Sequence, residues 1–227
     1  MLKYLINLLF PKLCLGCNAL LLNNEKIICS ECNHNLPITN HHFLEHNDTT
    51  KKFYGIIPIE FSASMLYFHH KGIVQNLIHN LKYKNHQEVG SLLGKWYAKD
   101  LETVSQIKTV SEIIPVPLHK KRLEERGYNQ VTTFCEALSK ELEIPYNPNL
   151  LYRSRYSKTQ TKKDKENRKD IANSLFDVNF TEADHNKHFL LVDDVMTSGA
   201  TLESCAKALL KIPNSKVSIV TIAYTLS

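Results

Sequence analysis

No stretch of this 227-residue chain approaches the ~20 consecutive apolar residues of a transmembrane helix, so a helical membrane span is not expected. The opening MLKYLINLLFPKLC is partly apolar, but Asn7 and Pro11 interrupt it and no small-residue cleavage site precedes the cysteines. It reads as an amphipathic cap and not as a signal peptide, and the cytoplasm is the expected compartment. Charge of one sign is not in large excess: 28 Lys and Arg against 23 Asp and Glu leave +5, which favours anionic ligands without the density of a dedicated nucleic-acid binder. A helix-turn-helix pattern is missing, which argues against a regulator that reads DNA in that way. Glycine is scarce, at seven residues, so each place where one falls is informative; no internal repeat is visible. The 43% apolar fraction suits a soluble globular protein of one large or two small domains.

The densest signal is FLLVDDVMTSGAT at residues 189–201. Phe189 to Val192 form a short, continuous apolar run of the kind a strand buried on both faces shows, and it stops at Asp193 and Asp194. Thr197, Ser198, Gly199, Ala200 and Thr201 follow. From there Leu202, Cys205, Ala206, Leu209 and Leu210 recur at helical spacing until Pro213. The small-residue loop thus opens a helix, whose unpaired amides and partial positive charge suit a phosphate. Two side-by-side ionised carboxylates can accept hydrogen bonds from a vicinal diol one ribose-length away. Position and chemistry together fit ribose 5-phosphate at the carboxyl end of a strand. A plain strand-to-helix turn with a capping aspartate pair is the alternative reading.

Four of six cysteines fall as Cys14-x-x-Cys17 and Cys29-x-x-Cys32, separated by eleven residues. Two such pairs facing each other can close a tetrahedral Zn2+ site of structural type. Disulfides are the rival, disfavoured by a reducing compartment. Cys135 and Cys205 sit on apolar helical faces and are expected in the core. The polar passage after Cys32, with His34, His41, His42 and His46, reads as a linker; its histidines lack the fixed spacing of a metal site. Residues 1–50 are accordingly expected as a zinc-binding domain with linker, and residues 51–227 as one α/β domain.

Within that domain, residues 56–68 alternate like a strand, and Ile73, Val74, Leu77, Ile78 and Leu81 mark a helix. Leu92, Leu93, Trp96, Tyr97 and Leu101 mark another. EIIPVP at 112–117 is the next strand, residues 131–142 a helix, and Val217 to Ala223 the last strand. Strands alternating with helices predict a parallel, doubly wound sheet. After EIIPVP, a proline-stiffened turn releases His119, Lys120, Lys121, Arg122 and Arg126, a cradle for a diphosphate, with Gly127 allowing close backbone approach. A solvated basic helix start would look similar. The segment 153–169 is basic, polar and nearly free of apolar residues, so it cannot pack a core and is expected to behave as a lid. Lys82 and Lys84, flanking Tyr83, either touch phosphate or complement a helix end.

Residues 189–201 resemble the thirteen-residue PRPP-binding motif of type I phosphoribosyltransferases. Ala200 stands where a second glycine is frequent. The block PVPLHKKRLEERGYNQ resembles the signature of the ComF family, and the resemblance runs along nearly the whole chain: the four cysteines, Leu81-Lys82-Tyr83, the PVP to RGYNQ block, Arg153 and Arg155 with Gln160 and Arg168, and the terminal motif. Ile171 departs from it, standing where an asparagine is expected. The resemblance implies a type I phosphoribosyltransferase-like fold, α/β with a parallel sheet and flanking helices, carrying a small N-terminal four-cysteine zinc domain.

Further implications concern the site. Asp193 and Asp194 hold the ribose hydroxyls, and Met196, Thr197, Ser198, Gly199, Ala200 and Thr201 surround the 5-phosphate. Lys121, Arg122 and Arg126, with Arg155, Lys158 and Gln160 from the lid, meet the diphosphate, and Mg2+ arrives with PRPP. Asp193, Asp194 and Arg122 are the implied catalytic residues of a transferase whose acceptor the sequence does not declare. The family is associated with competence, DNA uptake and natural transformation, which implies single-stranded DNA and other competence proteins as partners. A second reading is a single-stranded DNA-binding module that retains PRPP only as sensor or relic, with aromatics interleaved with cations to stack bases.

Overall fold

The computed structural model describes residues 11–154 and 175–226. Four strands, β1 (Phe61–Phe68), β2 (Glu112–Pro115), β5 (His188–Met196) and β6 (Lys216–Thr225), form one sheet in the order β1-β6-β5-β2. Every neighbouring pair in it is parallel. A separate antiparallel pair joins β3 (Leu151–Arg153) to β4 (Phe176–Val178).

Helices cover both faces. Helices α3 (Ile73–Tyr83), α4 (Glu88–Leu101) and α6 (Thr132–Leu142) pack on one side, where Leu77, Leu93 and Phe134 meet Leu190, Val192 and Val220. Helix α7 (Ala200–Leu209) packs on the other, where Leu202, Cys205 and Leu209 meet Phe189, Leu191 and Ile219. Residues 189–192 therefore feed alternate side chains into two cores, which is why the run is apolar without a break. The helices that follow the neighbouring strands β5 and β2 lie on opposite faces, an arrangement that opens a crevice beyond the strands' carboxyl ends. The parallel doubly wound expectation holds, as does the core placement of Cys135 and Cys205, both fully buried.

Three details differ from expectation. The first strand begins at Phe61, and residues 56–60 turn before it. The passage expected as a linker packs instead. His41 is 1% exposed, in a 3-10 turn against Tyr67 and Tyr224, between the short helices α1 (Ser30–His34) and α2 (Asp48–Lys51). The anchor is buried Asn47, whose Nδ2 donates to the carbonyls of His41, Leu44 and Ser62 and whose Oδ1 accepts from the amides of Thr49 and Thr50. A core held by side-chain hydrogen bonds to backbone leaves no apolar periodicity to read. Finally, the basic span after β2 is a helix, α5 (Lys120–Arg126), started by His119 as its N-cap and ended by Gly127 at φ 77°. Gly127 thus serves as a left-handed helix stop.

Candidate functional site

The bend after β5 rests on Gly199. Its φ of 83° is left-handed, and a Cβ there would lie 3.3 Å from the Phe53 ring, so a side chain is opposed by both backbone and packing. Phe53, 1% exposed, supports the bend from beneath, and Met196 is buried in the same core with its side chain. Thr197, Ser198, Ala200 and Thr201 are exposed around a small hollow of about 50 Å³ that Asp193 also lines. The chain then enters α7, with Glu203 N donating to Gly199 O at 2.8 Å.

The two carboxylates are not equivalent. Adjacent residues of a strand project alternately. Asp194, 5% exposed, points its Oδ2 at Lys82 Nζ, 2.9 Å away, as an ion pair without an aligned hydrogen bond. Asp193 accepts the Asp194 amide on Oδ1 at 2.8 Å. Burial, then the neighbouring Asp194 charge, raises its pKa to about 8, against the opposing pull of that amide and of Lys82. The expected pair of ionised acids is thus one ion-paired carboxylate and one neutral carboxyl near pH 7, because a second charge beside that of Asp194 is unfavourable where solvation is poor.

Lys82 ends α3 between two larger hollows. One, of about 460 Å³, is lined by Lys82, Tyr83, Lys84, Arg122, Arg126 and Tyr128. The other, of about 420 Å³, is bounded by Phe68, Ile78, His79, Val195 and Thr197 together with Asp194. The first is cationic and the second mainly apolar, and Lys82 and Tyr83 stand in the wall they share. Arg126 is already engaged: it donates to Gln130 Oε1 at 2.7 Å and to the Tyr83 hydroxyl at 3.3 Å, and its guanidinium lies 4.9 Å from the centre of the Tyr83 ring. Arg122 faces the cationic hollow from exposed α5, whereas Lys121 is exposed on the same helix and does not line it.

The structure therefore brings together Asp193, Asp194, the 197–201 loop, Arg122 and Arg126, and sets Lys121 apart. Arg155, Lys158 and Gln160 lie outside the described residues, as does the rest of the expected lid. Lys82 was a candidate on its motif alone; its partner is 112 positions away in sequence, and no local pattern names it. Tyr128, whose hydroxyl donates to Leu81 O, and Arg126, which donates to the Tyr83 hydroxyl, tie the RGYNQ block to α3, an arrangement the signature itself does not disclose.

At the amino-terminal end, the Sγ atoms of Cys14, Cys17, Cys29 and Cys32 lie within 4.8 Å of one another. The 3.7 Å between Cys17 and Cys29 is close to the ~3.8 Å edge of a tetrahedron with Zn–S bonds near 2.3 Å. All six cysteines are free thiols. Burial raises the Cys14 pKa, but amides of Cys29, Cys17 and Gly16 outweigh it and bring the group down to about 7. Burial and the surrounding thiols push Cys32 up. A cluster that resists full ionisation by itself suits a cation that would relieve the repulsion. Gly16 is required there, since a Cβ would meet Cys32 Sγ and Ile73 Cγ2 at 2.9 Å. Among the described residues this is the one group of three or more metal-capable side chains.

The phosphoribosyl transferase domain family matches residues 132–227, the part of the chain that holds β5 and its loop. Competence protein F of Haemophilus influenzae is 29% identical over 147 residues, 63% of this chain and 64% of that protein. Competence protein ComFC of Bacillus subtilis is 36% identical over 99 residues, 44% of this chain and 38% of that one. The matches thus span less than two thirds of either relative. Among solved structures, an adenine phosphoribosyltransferase aligns at 11% identity with a TM-score of 0.38, over 66% of this chain and 74% of that one. No helix among the described residues is long and apolar enough to cross a membrane. With its parallel sheet and its amino-terminal four-cysteine cluster, the chain is similar to the ComF-type competence proteins and carries a phosphoribosyl transferase domain over residues 132–227.

Proposed function

We propose that the chain binds PRPP with Mg2+ at the carboxyl edge of β2 and β5 and acts in DNA uptake. The observation that carries this reading is that Lys82 pairs with Asp194 and lines both the cationic hollow and the hollow bordered by Thr197, the first residue of the bend. The bend and the first turn of α7 take the 5-phosphate, and Asp193 and Asp194 take the ribose hydroxyls. Arg122 and Lys82 take the diphosphate, whose negative charge offers Lys82 a partner in place of Asp194. Arg126, Lys121 and the lid residues Arg155, Lys158 and Gln160 add to the diphosphate side by resemblance. Mg2+, which prefers six oxygens, is held by the ligand's own oxygens and water. Departing pyrophosphate would be stabilised by these cations, and the apolar hollow beyond Asp194 is the space left for an acceptor. At the other end, Cys14, Cys17, Cys29 and Cys32 hold Zn2+ in a small unit assigned to residues 1–50. Calorimetric titration with PRPP and Mg2+ should give saturable binding that Asp193→Asn plus Asp194→Asn removes; equal binding by both proteins refutes the assignment.

A second reading has its own observation. Tyr83 and Tyr128 lie among Lys82, Lys84, Arg122 and Arg126 in one hollow, a combination that stacks bases and neutralises phosphates. On this reading the hollow holds single-stranded DNA. Oligonucleotide affinity should then fall steeply with salt, and a salt-independent affinity removes the reading.

A further inference from the structure

One helix, α3, hydrogen-bonds to the turn that carries the first two thiols of the cluster. Asn76 Nδ2 donates to Gly16 O at 2.7 Å, and Asn80 Nδ2 donates to Leu15 O at 2.9 Å. Both acceptors belong to the Cys14–Cys17 turn, whose Gly16 amide donates in turn to Cys14 Sγ at 3.4 Å. Ile73 presses on Gly16 from the same side. Asn76 and Asn80 are four residues apart on α3, one above the other on a helix face. Within one further turn, the same helix presents Lys82 to Asp194 and Tyr83 to Arg126. Cys14, Cys29 and Cys32 share a single core with Val74, Leu77 and Leu81 of α3, so the knuckle is not an appendage on a tether.

We infer that Asn76 and Asn80 are positioning residues, through which the metal state of the cysteine knuckle sets how Lys82 and Tyr83 are presented to the ligand site. With metal bound, the knuckle's backbone is fixed and its two carbonyls anchor α3. Without it, four clustered thiols lose their common centre, the carbonyls of Leu15 and Gly16 lose their fixed positions, and α3 can turn or slide about its axis. A helix is stiff over the ~9 Å from Asn76 to Lys82, so that movement arrives at the ion pair undiminished. This inference rests on the PRPP reading and adds a linkage to it. Coupling between two sites is reciprocal: if metal strengthens PRPP binding by some factor, PRPP strengthens metal retention by the same factor.

Two readouts on the full-length, zinc-loaded protein test this: PRPP affinity in the presence of Mg2+, and the equilibrium competition for zinc against a chromogenic chelator, with and without PRPP. The native chain should bind PRPP about tenfold more tightly with zinc than after zinc removal, in the usual range of allosteric coupling, and PRPP should raise its zinc affinity by a matching factor. Asn76→Ala should keep stoichiometric zinc and a cooperative thermal transition, yet lose both effects. Asn76→Asp, which keeps the shape but cannot donate to Gly16 O, should behave like Asn76→Ala. A merely structural role would lower stability in these variants and leave the reciprocal effect of PRPP on zinc in place. Native protein that binds PRPP equally with and without zinc overturns the coupling alone, as does an Asn76→Asp chain with native coupling. Native protein that binds no PRPP in either state overturns the ligand reading and the coupling with it.

Discussion

Removing the Lys82 ammonium while leaving Asp194 in place tests how the site is held together. The pair is 2.9 Å apart, with side-chain exposures of 20% for the lysine and 7% for the aspartate. At an effective permittivity near 20, Coulomb's law gives about 6 kcal/mol for charges at that distance. Desolvation of both ions consumes much of this, so the intact pair adds little to net stability. Breaking it from one side is different, because the carboxylate stays buried with no compensating cation. Lys82→Met should therefore destabilise the fold by about 3 kcal/mol, the lower end for broken buried pairs, since the lysine retains some contact with water. Asp194→Asn should cost less, because the orphaned lysine can swing into the cationic hollow. The double variant should recover at least about 2 kcal/mol relative to the sum of the singles, as contacting pairs do. Urea unfolding of the four proteins, read by far-ultraviolet circular dichroism, measures the cycle. Additivity within about 0.5 kcal/mol would show that the two groups do not interact in solution, and would remove Lys82 from the account.

Other expected outcomes follow from single positions. Gly199→Ala places a Cβ against Phe53 in a left-handed conformation, at a cost of about 1–2 kcal/mol, and should weaken PRPP binding at least about tenfold by calorimetry. Asp193 has a folded pKa of about 8, above its unfolded value of 3.8, so the stability it contributes is full below pH 4 and is lost as pH rises through 8. Asp193→Asn should accordingly gain on the native chain by up to about 1.4 kcal/mol per pH unit across that window in pH-dependent urea unfolding; parallel curves would contradict the raised pKa. Gly16→Ala pushes a methyl group toward Cys32 Sγ and Ile73, and purified protein should carry markedly less zinc by atomic absorption than the native chain.

Much of this was legible because a few segments combine several physical signals. Residues 189–201 carry an apolar run, an acidic pair, a glycine and a helix start in one order, and that order survives into β5, the bend and α7. The helices at 73–83 and 132–142 announce themselves by apolar spacing, and most of the residues it selects are buried, whereas buried Asn80 lies outside the apolar pattern. What escaped the sequence lacks such a pattern. Helix α5 has no buried residue, so it offers no apolar stripe and looks like a loop. The passage around His41 and Asn47 is held by side-chain bonds to carbonyls distant in sequence, which composition cannot distinguish from a linker. β3 and β4 are three residues each, shorter than any periodicity can register. Most consequentially, two neighbouring aspartates look like twins in sequence, and only the fold gives one a lysine and leaves the other protonated.

The most direct test of the PRPP site is 31P nuclear magnetic resonance of PRPP titrated with the protein and Mg2+. The 5-phosphate and both diphosphate resonances should shift or broaden together with the native chain, and remain at their free positions with the Asp193→Asn, Asp194→Asn double variant. Diphosphate signals that respond alone, or responses that persist in the double variant, would mean that the bend at Gly199 and the acidic pair do not hold the ligand.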